Sequence, residues 1–283
     1  MEFLFQNSKK LFVLLISIFS LITLFLYLYK KNIKYPENGY QNTDCPNSSL
    51  VIAYFGQSNS ANSVNKITKL NIPNNLYQYN WRDNQCYRYK EPLLGSTGKK
   101  GNSITPFAIS LANNIENNVL IIPYGIGSSL IESWSNGDNS LLNNSILKNL
   151  IRKKIKVDLF LFHQGESDAS VVRNFSSSNQ KSNYSLKYLI DLLSIIDQTR
   201  LYFPNSHFGL SRVSKCFNPK ENNYITDSQK KATKLRPKVF ISADSDSIYG
   251  RKYRYDRCHF NLKGAEKLGK EYRTSFMKNI FKY

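Results

Sequence analysis

The chain has 283 residues, with 39 Lys and Arg against 20 Asp and Glu, a formal charge of +19. Hydrophobic residues make up 41% and aromatics 13%, enough for a real core, which excludes wholesale disorder. Nine prolines and 13 glycines are too few for a collagenous or low-complexity chain. Residues 1–10 read as a short basic segment. Leu11–Tyr29 then runs LFVLLISIFSLITLFLYLY, with no charge and no proline. About 20 apolar residues cross a bilayer core, so this stretch is predicted to be a transmembrane anchor. Lys9 and Lys10 flank it on one side, and Lys30, Lys31 and Lys34 on the other. With both flanks basic, orientation stays open. A cleaved signal peptide would have a shorter apolar run ending in small residues, whereas this one ends in Leu-Tyr-Lys-Lys. Residues 30–47 read as a linker and 48–283 as one domain.

Within that domain, five short apolar runs have the length of strands buried on both faces: Leu50–Gly56, Val119–Gly125, Val157–Gly165, His207–Val213 and Val239–Asp244. Helical patterns lie between and after them, at Ile104–Ile115, Leu141–Ile155, Leu186–Ile196, Ile225–Leu235 and Leu262–Met277. Strands alternating with helices predict an α/β domain with a mostly parallel five-stranded sheet. Ser60–Ser103 and Asn174–Ser185 read as irregular surface segments.

Cys45, Cys86, Cys216 and Cys258 make no zinc spacing, so no metal is expected. An even count beyond a membrane anchor predicts two disulfides in an oxidising space, periplasmic, extracellular or luminal. Three pairings are possible; Cys45–Cys86 with Cys216–Cys258 is the favoured one.

In open α/β sheets, ligands bind beyond the carboxyl ends of the strands. Polar residues with useful chemistry follow three of the runs: Gly56-Gln57-Ser58-Asn59, Gly125-Ile126-Gly127-Ser128 and His163-Gln164-Gly165-Glu166-Ser167-Asp168. A further group, Asp256-Arg257-Cys258-His259, precedes the last helix. A serine hydroxyl needs an adjacent base, and a carboxylate orients that base. Ser58, His259 and Asp256 are the candidates for these roles, with Asp246 or Asp168 as alternative acids. The backbone N–H groups of Ser58 and Gly127 and the side-chain amide of Gln164 are candidate oxyanion donors. Gln57, Asn59, Glu166 and Trp134 are candidates for substrate contact or for holding loops. Trp81 and Trp134 could form a sugar-stacking wall or belong to a core or lid. His163 reads as a packed histidine.

Taken together, GQSN, HQGESD and DRCHF resemble the SGNH-hydrolase superfamily, and within it the sialate O-acetylesterase-like carbohydrate esterases. YKEPLLG (Tyr89–Gly95), GIGSSLIESW ending at Trp134, and Ala243-Asp244-Ser245-Asp246 extend the resemblance from about Leu50 to Met277. It implies a three-layer α/β/α sandwich and no cofactor. It implies a Ser58 nucleophile, a His259 base, an Asp256 partner, and removal of O-acetyl groups from a carbohydrate. Ser128 stands where such enzymes often carry a second glycine.

Few of the cations flank the apolar run, so most of the charge belongs to the domain. Ile151–Lys156 (IRKKIK) is its densest basic run. With no basic helix, finger or RNA-binding motif, a solvated basic surface is expected in place of a nucleic-acid site. The competing readings are a non-catalytic glycan-binding protein on the same fold and a glycan acyltransferase. Oligomeric state is not legible.

Overall fold

The computed structural model describes residues 39–47 and 49–281. The predicted anchor, Leu11–Tyr29, lies outside the described residues. Among the described residues, no helix is long and apolar enough to cross a membrane.

Gln41–Tyr283 forms one compact unit. Its strands are β1 (Asn42–Thr43), β2 (Ser49–Gly56), β3 (Leu76–Asn80), β4 (Gln85–Arg88), β5 (Asn118–Pro123), β6 (Leu159–His163), β7 (His207–Arg212) and β8 (Val239–Asp244). They make one sheet in the order β1-β4-β3-β5-β2-β6-β7-β8. The five predicted strands are its centre and far edge, all parallel. The sheet is larger than expected: β3 adds a sixth parallel strand, and β4 and β1 continue antiparallel.

Two of the three extra strands come from the segment read as surface loop. The reason is polar burial. Gln78 and Asn80 of β3 are fully buried, which breaks the apolar run a buried strand normally shows. The Gln78 amide satisfies itself by donating to Lys90 O and accepting from Leu94 N. The third, β1, lies inside the predicted linker, so the domain begins earlier than residue 48. Cys45 ties this end to β4 through Cys86, and Cys216 joins Cys258; this is the favoured pairing.

The helices are α1 (Thr105–Ala112), α2 (Ile131–Ser135), α3 (Asp138–Arg152), α4 (Glu166–Asn174), α5 (Ser178–Tyr202), α6 (Asn223–Leu235) and α7 (Leu262–Asn279). Helix α5 takes up most of the predicted Asn174–Ser185 loop. A capping box between Ser177 and Gln180 starts it there, so polar residues of its first turns form helix.

Side chains of β2 alternate between the two faces of the sheet. Val51, Ala53 and Phe55 enter the core under α2 to α6; Ile52 and Tyr54 enter the core under α1 and α7. Phe55 stacks on Tyr124 at 4.8 Å and packs against Phe162 at 4.7 Å. The result is a helix–sheet–helix sandwich. Every parallel strand points its carboxyl end toward the same loops.

Candidate active site

The turn after β2 depends on Gly56. Its φ is +123°, and a Cβ there would lie 2.1 Å from the His163 carbonyl oxygen of the neighbouring strand. Only glycine fits both conditions. The chain then makes a 3-10 turn over Ser58–Ser60, with Gln57 N donating to His163 O at 2.9 Å. This leaves Ser58 half-buried at the strand end while Gln57 and Asn59 are buried.

The loop before α7 brings in the other partners. His259 Nε2 lies 3.0 Å from Ser58 Oγ, and His259 Nδ1 lies 2.7 Å from Asp256 Oδ2. The second oxygen of Asp256 accepts from Cys258 N and His259 N at 2.9 and 2.7 Å. Burial works against the Asp256 charge, but these bonds outweigh it and hold the carboxyl below its usual value. A carboxylate, imidazole and hydroxyl so joined can deprotonate the hydroxyl and hold the imidazolium that results.

The alternative acids are committed elsewhere. Asp246 accepts from Ser214 N, Ser214 Oγ and Lys215 N. Asp168 accepts from Ile131 N and Tyr184 Oη, and burial pushes its carboxyl up to about 6 against those bonds.

The three candidate oxyanion donors differ. The Ser58 N–H has no acceptor among the described residues. Gly127 N donates to Thr97 Oγ1 at 2.9 Å. A Cβ at Gly127 would meet only Thr97 Oγ1, at 3.5 Å, so close backbone approach does not require glycine there. The tightly packed glycine is Gly125, whose Cβ would lie 2.7 Å from the Ser60 carbonyl group. Gln164 is buried, and its amide nitrogen donates to Ser129 O and to Asp168. In this geometry Gln164 braces loops.

The remaining candidates also hold the scaffold. Gln57 Oε1 accepts from Gly165 N and Ser167 N, joining two strand-end loops. Asn59 donates to Glu166 Oε1 at 2.8 Å and to Cys258 O at 3.3 Å, so it ties the Ser58 turn to the His259 loop. Glu166 is buried beside His163, Nε2 to Oε1 3.3 Å. Burial opposes its charge, yet His163, Asn59 and Arg254 hold its carboxyl below the usual range. His163 is packed as expected, its Nδ1 3.2 Å from Tyr272 Oη. Trp134 is fully buried against Phe55 and Phe162, its Nε1 donating to Ser129 Oγ. It is core, not a sugar-stacking wall. Trp81 is half-buried, its Nε1 on Gly95 O at 3.0 Å.

Arg254 was not legible as a functional residue. It is fully buried, and its guanidinium donates to the carbonyls of Ile248, Ser245 and Cys258 while lying 4.4 Å from the Phe260 ring centroid. Three main-chain carbonyls, from Ser245, Ile248 and Cys258, thus converge on one cation that shapes the Asp256–His259 loop. Its position two residues before Asp256 was the available signal. Tyr255 was also missed; its ring stacks on His259 at 6.1 Å and Lys100 sits over it at 4.9 Å.

The sheet gathers this chemistry at the carboxyl ends of its parallel strands, where open α/β enzymes bind their ligands. The chain belongs to the family "Carbohydrate esterase, sialic acid-specific acetylesterase", whose sequence model matches residues 49–278. Among solved structures, it is similar to a protein from Arabidopsis thaliana at 15% identity and TM-score 0.63, covering 83% of this chain and 99% of that one. A carbohydrate acetylesterase from Xanthomonas citri matches at 15% identity and TM-score 0.60, over 82% of this chain and 57% of that one. The structure named NanS matches at 13% identity and TM-score 0.52, over 83% and 98%. At such identities these likenesses concern the fold. Comparison with curated proteins found no match.

Proposed function

We propose that this esterase removes O-acetyl groups from a carbohydrate through an acetyl-enzyme on Ser58. The observation that carries the reading is the continuous contact from Ser58 Oγ to His259 to Asp256, at 3.0 and 2.7 Å. In the first half-reaction Ser58 Oγ bonds to the acetyl carbonyl carbon as His259 Nε2 takes its proton. The oxyanion draws on the Ser58 N–H. The Gly127 N–H joins it by exchanging Thr97 for the oxyanion, and the Gln164 amide supports the loops behind them. Collapse breaks the ester bond, and the sugar hydroxyl leaves with the proton from His259. Water then gives a proton to His259 Nε2 and bonds to the acetyl carbon; the bond to Ser58 Oγ breaks, Ser58 takes that proton back, and acetate leaves.

The lipid-embedded placement is part of the same reading. Leu11–Tyr29 has the length and composition of an anchor, and two disulfides suit an oxidising compartment outside the cytosol. Ester hydrolysis is tested with p-nitrophenyl acetate, and substrate class with acetylated xylan, sialic acid and peptidoglycan fragments. Ser58→Ala should abolish acetate release and covalent labelling by a fluorophosphonate. Undiminished turnover in that variant would remove Ser58 from the mechanism. Release only in the presence of an acceptor sugar would favour acyl transfer.

A further inference from the structure

The end of the domain opposite the candidate active site has an unusual surface. There β5, β2, β6, β7 and β8 begin, and α3, α5, α6 and α7 finish. At each of these four helix ends a large apolar side chain is exposed: Ile151 by 48%, Leu201 by 82%, Leu235 by 51% and Phe281 by 45%. A groove of about 460 Å³ opens beside Ile151, with Tyr202, Phe203, Pro204 and Ile280 in its walls.

Cations surround the same apolar groups. Lys153, Lys154 and Lys156 are exposed on the turn between α3 and β6. Arg200 rests on Pro237 O, and Lys238 donates to Asn205 O at 3.2 Å on the groove's rim. None of these five has a carboxylate within 4 Å among the described residues. Of the acids nearby, Asp158 accepts from Val51 N at 2.8 Å, Asp197 is paired with Arg236, and Glu116 is exposed on the turn before β5. Cations at helix C-termini are ordinary, because the helix dipole favours them. The dipole gives no reason for exposed Ile, Leu and Phe beside them. Apolar side chains ringed by lysine and arginine match a bilayer surface, where acyl chains take the first and anionic headgroups the second. Gln41, the first residue of the compact unit, enters at this end too: its carbonyl accepts from Arg88 N, and Arg88 lies opposite Tyr77 near the start of β3.

We propose that this end of the domain is a docking face for an anionic lipid surface, which turns the Ser58–His259 end away from the bilayer. The inference stands apart from the esterase reading and from the predicted anchor.

The test uses residues 41–283, a unit that contains the whole sheet, both cores and both disulfides. It is floated with vesicles of phosphatidylcholine, alone or mixed with phosphatidylglycerol. Binding to the mixed vesicles only, weakened by salt, is expected. Reversing Lys153, Lys154 and Lys156 to Glu should lower it at least about tenfold, as should Ile151→Ser with Leu201→Ser. Both variants should keep the parent's ester hydrolysis, which separates docking from catalysis and reports folding. Reversing Lys267 and Lys270 on α7 is the control for bulk charge. Failure to bind the mixed vesicles overturns the proposal, including the case where the unit binds a soluble polyanion instead. An equal loss in the control variant overturns it as well.

Discussion

Asp256→Asn isolates the part of the relay that is electrostatic and tautomeric. The side chain keeps its shape, and its oxygen can still accept from the Cys258 and His259 amides. At the other position an NH2 replaces the oxygen that lies 2.7 Å from His259 Nδ1. Two donors cannot face each other there, so Nδ1 must become the acceptor and the ring proton moves to Nε2. That nitrogen faces Ser58 Oγ and no longer works as a base. The imidazolium formed in the reaction also loses its counter-charge. At 2.7 Å, a charge pair is worth about 6 kcal/mol at an effective dielectric of about 20 and about 1.5 kcal/mol in bulk water. The His259 and Asp256 side chains are 23% and 32% exposed, which puts the charge effect between those limits. With the tautomer change added, kcat should fall by roughly 10³–10⁴, or about 4–5.5 kcal/mol. The assay is steady-state hydrolysis of p-nitrophenyl acetate, with KM and the thermal midpoint measured alongside. KM and midpoint should move little. A kcat within tenfold of the parent would refute the reasoning and return the choice to Asp246 or Asp168.

Three further outcomes follow from the same geometry. Gly56→Ala places a Cβ 2.1 Å from His163 O at a φ of +123°. Strain alone should cost about 1–3 kcal/mol, and displacement of the Ser58 turn should remove most turnover; an active variant of unchanged stability would contradict this. Replacing Cys216 and Cys258 by Ser opens a cross-link over a separation of 42 residues. Chain-entropy reasoning assigns such a closure about 4 kcal/mol, so the urea midpoint should drop, and turnover with it because Cys258 adjoins His259. Asp168 is held up at about 6 by burial, above an unfolded value of about 3.9. The folded chain keeps this proton after the unfolded chain has lost it, so the group's contribution falls as pH rises from about 4 to 6, by about 3 kcal/mol. Asp168→Asn should flatten that slope in urea titrations across the window, and a slope equal to the parent's would contradict the shift.

The candidate site was legible where chemistry and strand ends coincide. Ser58 follows a buried apolar run and a glycine, and Asp256 and His259 are three residues apart before a helix. Each could be placed from local sequence. Gln164 and Trp134 show the limit. An amide after a strand looks available for an oxyanion, but Ser129 O and Asp168 occupy it in the folded chain. A tryptophan in a carbohydrate enzyme suggests stacking, but aromatic neighbours from β2 and β6 bury it completely. Strand β3 is hidden in the sequence because its buried Gln78 and Asn80 break the apolar run, and their partners, Lys90 O and Asp83, are supplied by the segments that follow it.

By itself, the sequence determined the alternation of strands and helices, because local periodicity carries that information. It also determined the order of the functional blocks and the even set of cysteines. Tertiary structure alone decided which polar groups at the strand ends have partners, since those partners lie up to 201 residues away, as Ser58 and His259 do. It also sorted the surplus charge, gathering cations and exposed apolar groups from four helix ends onto one face. Such juxtapositions depend on how the helices terminate around a common sheet, and no window of sequence contains them.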